Sequence, residues 1–105
     1  MPDGDYRLGS ATVTVRGGRA TTPGTERLAG STLTMAEAVR NAVWMLGVTV
    51  EDAVTLATAN PARLLGIADR KGAIAAGSDA DLVVLGNELD VRGTMVGGAW
   101  AYGPT

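Results

Sequence analysis

The sequence predicts a small α+β chain, and three observations predict it. β-Branched, alternating stretches occupy its first part, two amphipathic helical stripes its middle, and short apolar runs punctuated by glycine its end. At 105 residues the chain has the size of one small domain, so these parts must draw on a limited core. A hydrophobic content of 46% is ordinary for a folded domain and excludes wholesale disorder.

The first part reads as an irregular hairpin. Thr12-Val13-Thr14-Val15 and Arg19 to Thr21 are strand-forming, with Arg16-Gly17-Gly18-Arg19 as the tight turn between them. Asp3 and Asp5, on either side of Gly4, read as turn residues. Leu28-Ala29-Gly30-Ser31 reads as a small-residue turn ahead of a helix, where Gly30 would let backbone approach a ligand closely.

Thr34-Met35-Ala36-Glu37 is a capping-box sequence, so a helix is expected from Met35. Met35, Ala38, Val39, Ala42, Val43 and Leu46 fall on one helical face, Gly47 supplies the stop, and Trp44 lies off the stripe. Thr49 with Asp52 starts a second helix, whose stripe is Val50, Ala53, Val54 and Ala57. Asn60, Pro61 and Gly66 suggest a third, very short one with Asn60 as its cap. From Lys71 the period changes. Ala73-Ile74-Ala75, residues 81–85 and Thr94-Met95-Val96 read as strands, and Gly97-Gly98 as the turn of a final hairpin.

Charge and residue inventory exclude several functions. A net charge of −2 with no basic cluster argues against nucleic-acid binding. No apolar run has the length of a membrane span, and no signal-peptide pattern opens the chain, so a soluble cytoplasmic protein is expected. The sequence contains no cysteine and no histidine, which removes thiolate sites and leaves Ser10 and Ser31 without an imidazole to activate them. Only carboxylates could bind a metal. Asp79 and Asp81, two apart, would share a strand face, yet they also suit a turn residue and an acceptor for nearby amides. No metal ligand and no catalytic residue is assigned.

Two stretches carry a resemblance. Leu28-Ala29-Gly30-Ser31-Thr32-Leu33-Thr34-Met35, followed by the Asn60-Pro61-Ala62 step and Gly72 to Val84 with its Gly77-Ser78-Asp79-Ala80-Asp81-Leu82, resembles the C-terminal end of the amidohydrolase superfamily. The likeness is greatest to the N-acetylglucosamine-6-phosphate deacetylases and runs from about Pro2 to Gly98. It implies an α+β fragment: outer helices and last loop of a (β/α)8 amidohydrolase barrel (residues 1–68), plus C-terminal strands of its small β-sandwich (residues 69–105).

The resemblance also implies a chemistry. A divalent metal such as zinc activates water for attack on the acetamide of N-acetylglucosamine 6-phosphate, giving glucosamine 6-phosphate and acetate. The family's catalytic aspartate lies in a Thr-Asp-Ala stretch ahead of the segment matching Met1-Pro2-Asp3-Gly4, so Asp3 does not inherit that role. The metal ligands lie further upstream. Leu28, Ala29, Gly30 and Ser31 carry over as the substrate contact. The expectation is a C-terminal segment, inactive alone, that self-associates or requires an N-terminal portion. The alternatives are a split-enzyme subunit and a non-catalytic interaction or sugar-phosphate-binding module.

Overall fold

The computed structural model describes residues 1–103, and the chain divides into two compact units, Met1–Thr34 and Met35–Thr105. The first unit is a four-stranded antiparallel sheet in the order β1-β2-β3-β4, built from β1 (Gly4–Leu8), β2 (Ala11–Arg16), β3 (Arg19–Thr21) and β4 (Leu28–Gly30). Register places Tyr6 opposite Val13, and Val15 opposite both Gly4 and Ala20. Cross-strand partners share a sheet face, so these residues gather on one side. Val13, Val15 and Ala20 are buried there, with Tyr6 and Ala29 packed against them. The other face is polar, where the Thr14 hydroxyl donates to Asp5 Oδ1 at 2.8 Å.

The expected strands at residues 12–15 and 19–21 are present, and Gly17 and Gly18 take the positive φ of a tight hairpin turn. Two expectations change. Asp5 lies within β1, a strand that its polar residues conceal, and Asp3 Oδ1 accepts from the Gly17 amide at 3.1 Å. Leu28-Ala29-Gly30 is a strand rather than a turn: Leu28 pairs with Thr21 and Gly30 with Ala20. Ala29 is the extra residue of a bulge, which hides the alternation a strand would otherwise show.

In the second unit, helices α1 (Met35–Leu46), α2 (Val50–Ala57) and α3 (Ala59–Leu64) precede a three-stranded antiparallel sheet of β5 (Leu82–Leu85), β6 (Val91–Val96) and β7 (Ala99–Tyr102). Helix α1 begins where the capping-box sequence puts it and ends at Gly47, φ +74°, with the Val48 amide reaching back to Ala42 O at 3.3 Å. Thr49 caps α2 as expected, its Oγ1 accepting from the Asp52 amide at 3.1 Å.

Helix α3 starts two residues earlier than expected, at Ala59 rather than Pro61. Asn60 lies inside it, where its side chain accepts from Arg63. Thr58 occupies the cap position, but its hydroxyl is spent on Val54 O at 2.7 Å and caps nothing. Ala73-Ile74-Ala75 forms no strand. No neighbouring strand pairs with it, and Ile74 is 90% exposed. Just before it, Gly72 (φ +93°) presses so closely on α3 that a Cβ there would lie 2.9 Å from Ala62 Cβ.

Asn87 to Asp90, a polar stretch between two strands, folds into a tight loop closed by the Gly86 amide on Asp90 O at 2.8 Å. Leu89 sits in it at φ 60°, a conformation costing a non-glycine residue about 1 kcal/mol or more, and its side chain is buried. Arg40 of α1 donates to Leu89 O at 3.3 Å and so ties this loop to the helices.

Candidate functional site

The segment singled out in the sequence, Leu28 to Ser31, lies on the outermost strand of the first sheet and in the residue that follows it. Gly30 and Ser31 line an apolar cleft of about 250 Å³, floored by Val13, Val15 and Ala20 and walled by Tyr6 and Arg7. Leu28 and Ala29 do not line it: Leu28 is 63% exposed, and Ala29 packs into the sheet core. Half of the expected contact segment therefore converges on the cleft.

Local hydrogen bonds fix the exit from β4. Ser31 Oγ accepts from the Leu33 amide at 3.0 Å, and the Thr32 hydroxyl donates to Gly18 O at 2.8 Å, across the β2–β3 turn. Gly30 has ordinary extended backbone, and a Cβ there would meet nothing within 4 Å. Neither the backbone nor packing within this chain demands glycine at that point.

The second group of polar residues is a clamp at the start of the C-terminal sheet. Lys71 Nζ lies 2.9 Å from Asp79 Oδ2 and also pairs with Asp81. Asp81 Oδ1 accepts from the Gly97 amide at 2.9 Å, so one carboxylate joins the chain before β5 to the β6–β7 turn. The Lys71 hydrogen bond, then the Gly97 amide, hold the Asp81 carboxyl below its ordinary range. Hydrogen bonds from Lys71 to Asp81 and Asp79 hold the ammonium above its own.

The expectation that Asp81 accepts from nearby amides is met. Sequence reasoning missed the lysine. Its signal was available, since Lys71 is the only lysine in the chain and precedes a pair of aspartates. Similarly, Arg92 and then its own backbone amide hold the Asp90 carboxyl below its ordinary range.

These pairings bear on the metal that the family resemblance implies. The chain has no histidine or cysteine, and its paired carboxylates already hold an ammonium. Among the described residues no three His, Cys, Asp or Glu side chains come together. The residues present do not fit a catalytic divalent ion, which needs three or more convergent ligands. Nor is any helix among the described residues long and apolar enough to cross a membrane.

The fold has counterparts among solved structures. The sequence profile of the Amidohydrolase family matches residues 10–101. The chain belongs to the amidohydrolase family. It is 42% identical over 98 residues to the N-acetylglucosamine-6-phosphate deacetylase of Danio rerio, covering 93% of this chain and 24% of the relative.

The putative N-acetylgalactosamine-6-phosphate deacetylase of Escherichia coli K12 is 40% identical over 101 residues, which is 96% of this chain and 60% of that protein. Among solved structures, a mutant N-acetyl-D-glucosamine-6-phosphate deacetylase from Mycobacterium smegmatis, in complex with N-acetyl-D-glucosamine-6-phosphate, is 44% identical with a TM-score of 0.80. That match covers 98% of this chain and 28% of the other. The chain thus spans about a quarter of the length of most of the deacetylases it matches.

Proposed function

We propose that this chain is the C-terminal part of a metal-dependent amidohydrolase that converts N-acetylglucosamine 6-phosphate to glucosamine 6-phosphate and acetate in the cytoplasm, and that it is inactive by itself. The observation that carries the reading is 44% identity to a deacetylase whose solved structure holds that sugar phosphate, over nearly the whole of this chain. On this reading residues 1–68 complete the barrel domain and residues 69–105 supply strands of the β-sandwich. Any divalent metal such as zinc would be held by residues other than those of this chain.

The substrate contact in this reading is Leu28-Ala29-Gly30-Ser31. Two features support it: Gly30 and Ser31 border the cleft, and Gly30 is glycine where nothing inside the chain requires it. A bare backbone allows close approach of a polar ligand. The exposed apolar surface of the helices favours one further form of the same reading, a split enzyme in which this chain docks on a separate N-terminal polypeptide.

The test has two arms. The purified chain, given N-acetylglucosamine 6-phosphate and zinc, should release no acetate, and turnover would overturn its inactivity. The chain should also restore deacetylase activity when it replaces the matching segment of the Mycobacterium smegmatis enzyme. A folded chimera that hydrolyses no amino-sugar phosphate would overturn the deacetylase reading. In an active chimera, Gly30→Val should raise KM about tenfold or more, the effect of losing roughly 1.4 kcal/mol of binding.

A further inference from the structure

The cleft that Gly30 and Ser31 border also has Met1 in its lining. Its rim is therefore drawn from both ends of the first unit, the approach to β1 and the exit from β4. Strand pairing starts at Gly4 and stops at Gly30, so the ladder holds neither Met1 nor Ser31 directly. At the exit it is also weak, since β4 meets β3 at two register pairs with a bulge between them.

Both ends are instead tied to one point. Asp3 Oδ1 accepts from the Gly17 amide at 3.1 Å, and the Thr32 hydroxyl donates to Gly18 O at 2.8 Å. Arg16 opposite Arg19 is the last pair of the β2–β3 ladder, so the Gly17 N–H and the Gly18 C=O lie beyond it without ladder partners. One end of the unit takes the donor of this turn, and the other takes its acceptor. At the entry the Tyr6 hydroxyl adds a bond to Pro2 O at 2.7 Å. At the exit the Ser31–Leu33 bond is internal to the segment, which leaves Thr32 to join it to the turn.

We propose that the Gly17-Gly18 turn sets the opening of the cleft, with Asp3 and Thr32 as positioning residues that brace its two rims against that turn. Neither side chain lines the cleft, so each acts through the backbone it holds. Their value to the reaction rests on Gly30 and Ser31 being the substrate contact of the proposed deacetylase. A contact segment released from its brace must be ordered again each time substrate binds, so the loss falls on KM.

In the free 105-residue chain, 15N relaxation of Thr32→Val should show lower order at Gly30 and Ser31, with Val13 and Val15 unchanged. Asp3→Ala should loosen the same two residues through the turn, less strongly because Tyr6 still holds the entry. Thr14→Val deletes a hydroxyl bond of equal length on the polar face and should leave them as they are. In an active chimera with the Mycobacterium smegmatis enzyme, Thr32→Val should raise KM about fivefold at unchanged kcat. Thr32→Ser, which keeps the hydroxyl, should restore it. Unaltered order at Gly30 and Ser31 in both variants, an equal loss in Thr14→Val, a fall in kcat at constant KM, or no recovery with Thr32→Ser would each overturn the proposal. A folded chimera without activity would count against the deacetylase reading alone, and the relaxation data would then decide the bracing by themselves.

Discussion

The N-terminal sheet and the α1–α2 pair start from equally clear apolar patterns and end differently. In the sheet, Val13, Val15 and Ala20 are 6%, 1% and 4% exposed. In the helices, α1 buries nothing, and Met45 and Leu46 are each 76% exposed. A meander brings its apolar partners together within a few residues of each other, so Tyr6, Val13, Val15 and Ala20 meet through register alone. A helical stripe has no such local partner and closes only against another element. The chain supplies α2 for part of α1 and leaves the rest open.

The largest effect expected from this contrast is at Val15. Val15→Asp places a carboxylate in the most buried side-chain position and should cost about 3 kcal/mol or more, enough to unfold the sheet. Met45→Asp, on the open face of α1, should change stability by less than about 0.5 kcal/mol. Urea titration of the two variants checks the pair, and comparable losses would mean that α1 is covered in solution.

Gly72→Ala is next. Its φ is +93°, and a Cβ would meet Ala62 Cβ at 2.9 Å and Thr58 O at 3.0 Å. Left-handed strain and overpacking together should cost about 2–3 kcal/mol, read as a lower Tm. Gly72 is thus packed closely on α3, while α1 buries none of its residues. By the same comparison Gly30→Ala, with extended backbone and open space, should leave the free chain's Tm unchanged to within about 0.5 kcal/mol of stability.

What the sequence made legible follows the same division. Helix α1, the Thr49 cap, the turn at Gly17-Gly18 and the strand from Leu82 to Leu85 rest on local chemistry, and each is present. Strands β1 and β4 were hidden because Asp5 and the small residues Ala29 and Gly30 take their conformation from neighbouring strands rather than from propensity. Ala73-Ile74-Ala75 failed in the opposite sense, being strand-like in composition with nothing to pair with. In the candidate site, the Leu28 to Ser31 segment was found by family resemblance, and its division between cleft and core needed the bulge at Ala29. Thr49→Ala isolates one purely local term: losing the bond to the Asp52 amide should cost about 1 kcal/mol.

The smallest effect is a pH dependence in the second unit. There Asp81 lies beside Lys71 and Asp90 beside Arg92, both held below the ordinary range. A carboxylate depressed in the folded state stabilises it fully above the unfolded value of about 4, and that contribution is lost as pH falls through the folded value. The raised Lys71 works in the other direction: its contribution is complete below the ordinary 10.5 and is lost as pH rises through the folded value. Between these limits the clamp is intact and stability should be flat with pH. Asp81→Asn should lower the urea midpoint across that plateau and converge with the parent chain in strong acid, where Asp81 is protonated in both states. Equal separation of the two curves at neutral pH and in acid would show that the amide's packing, rather than the Lys71 pairing, sets the loss.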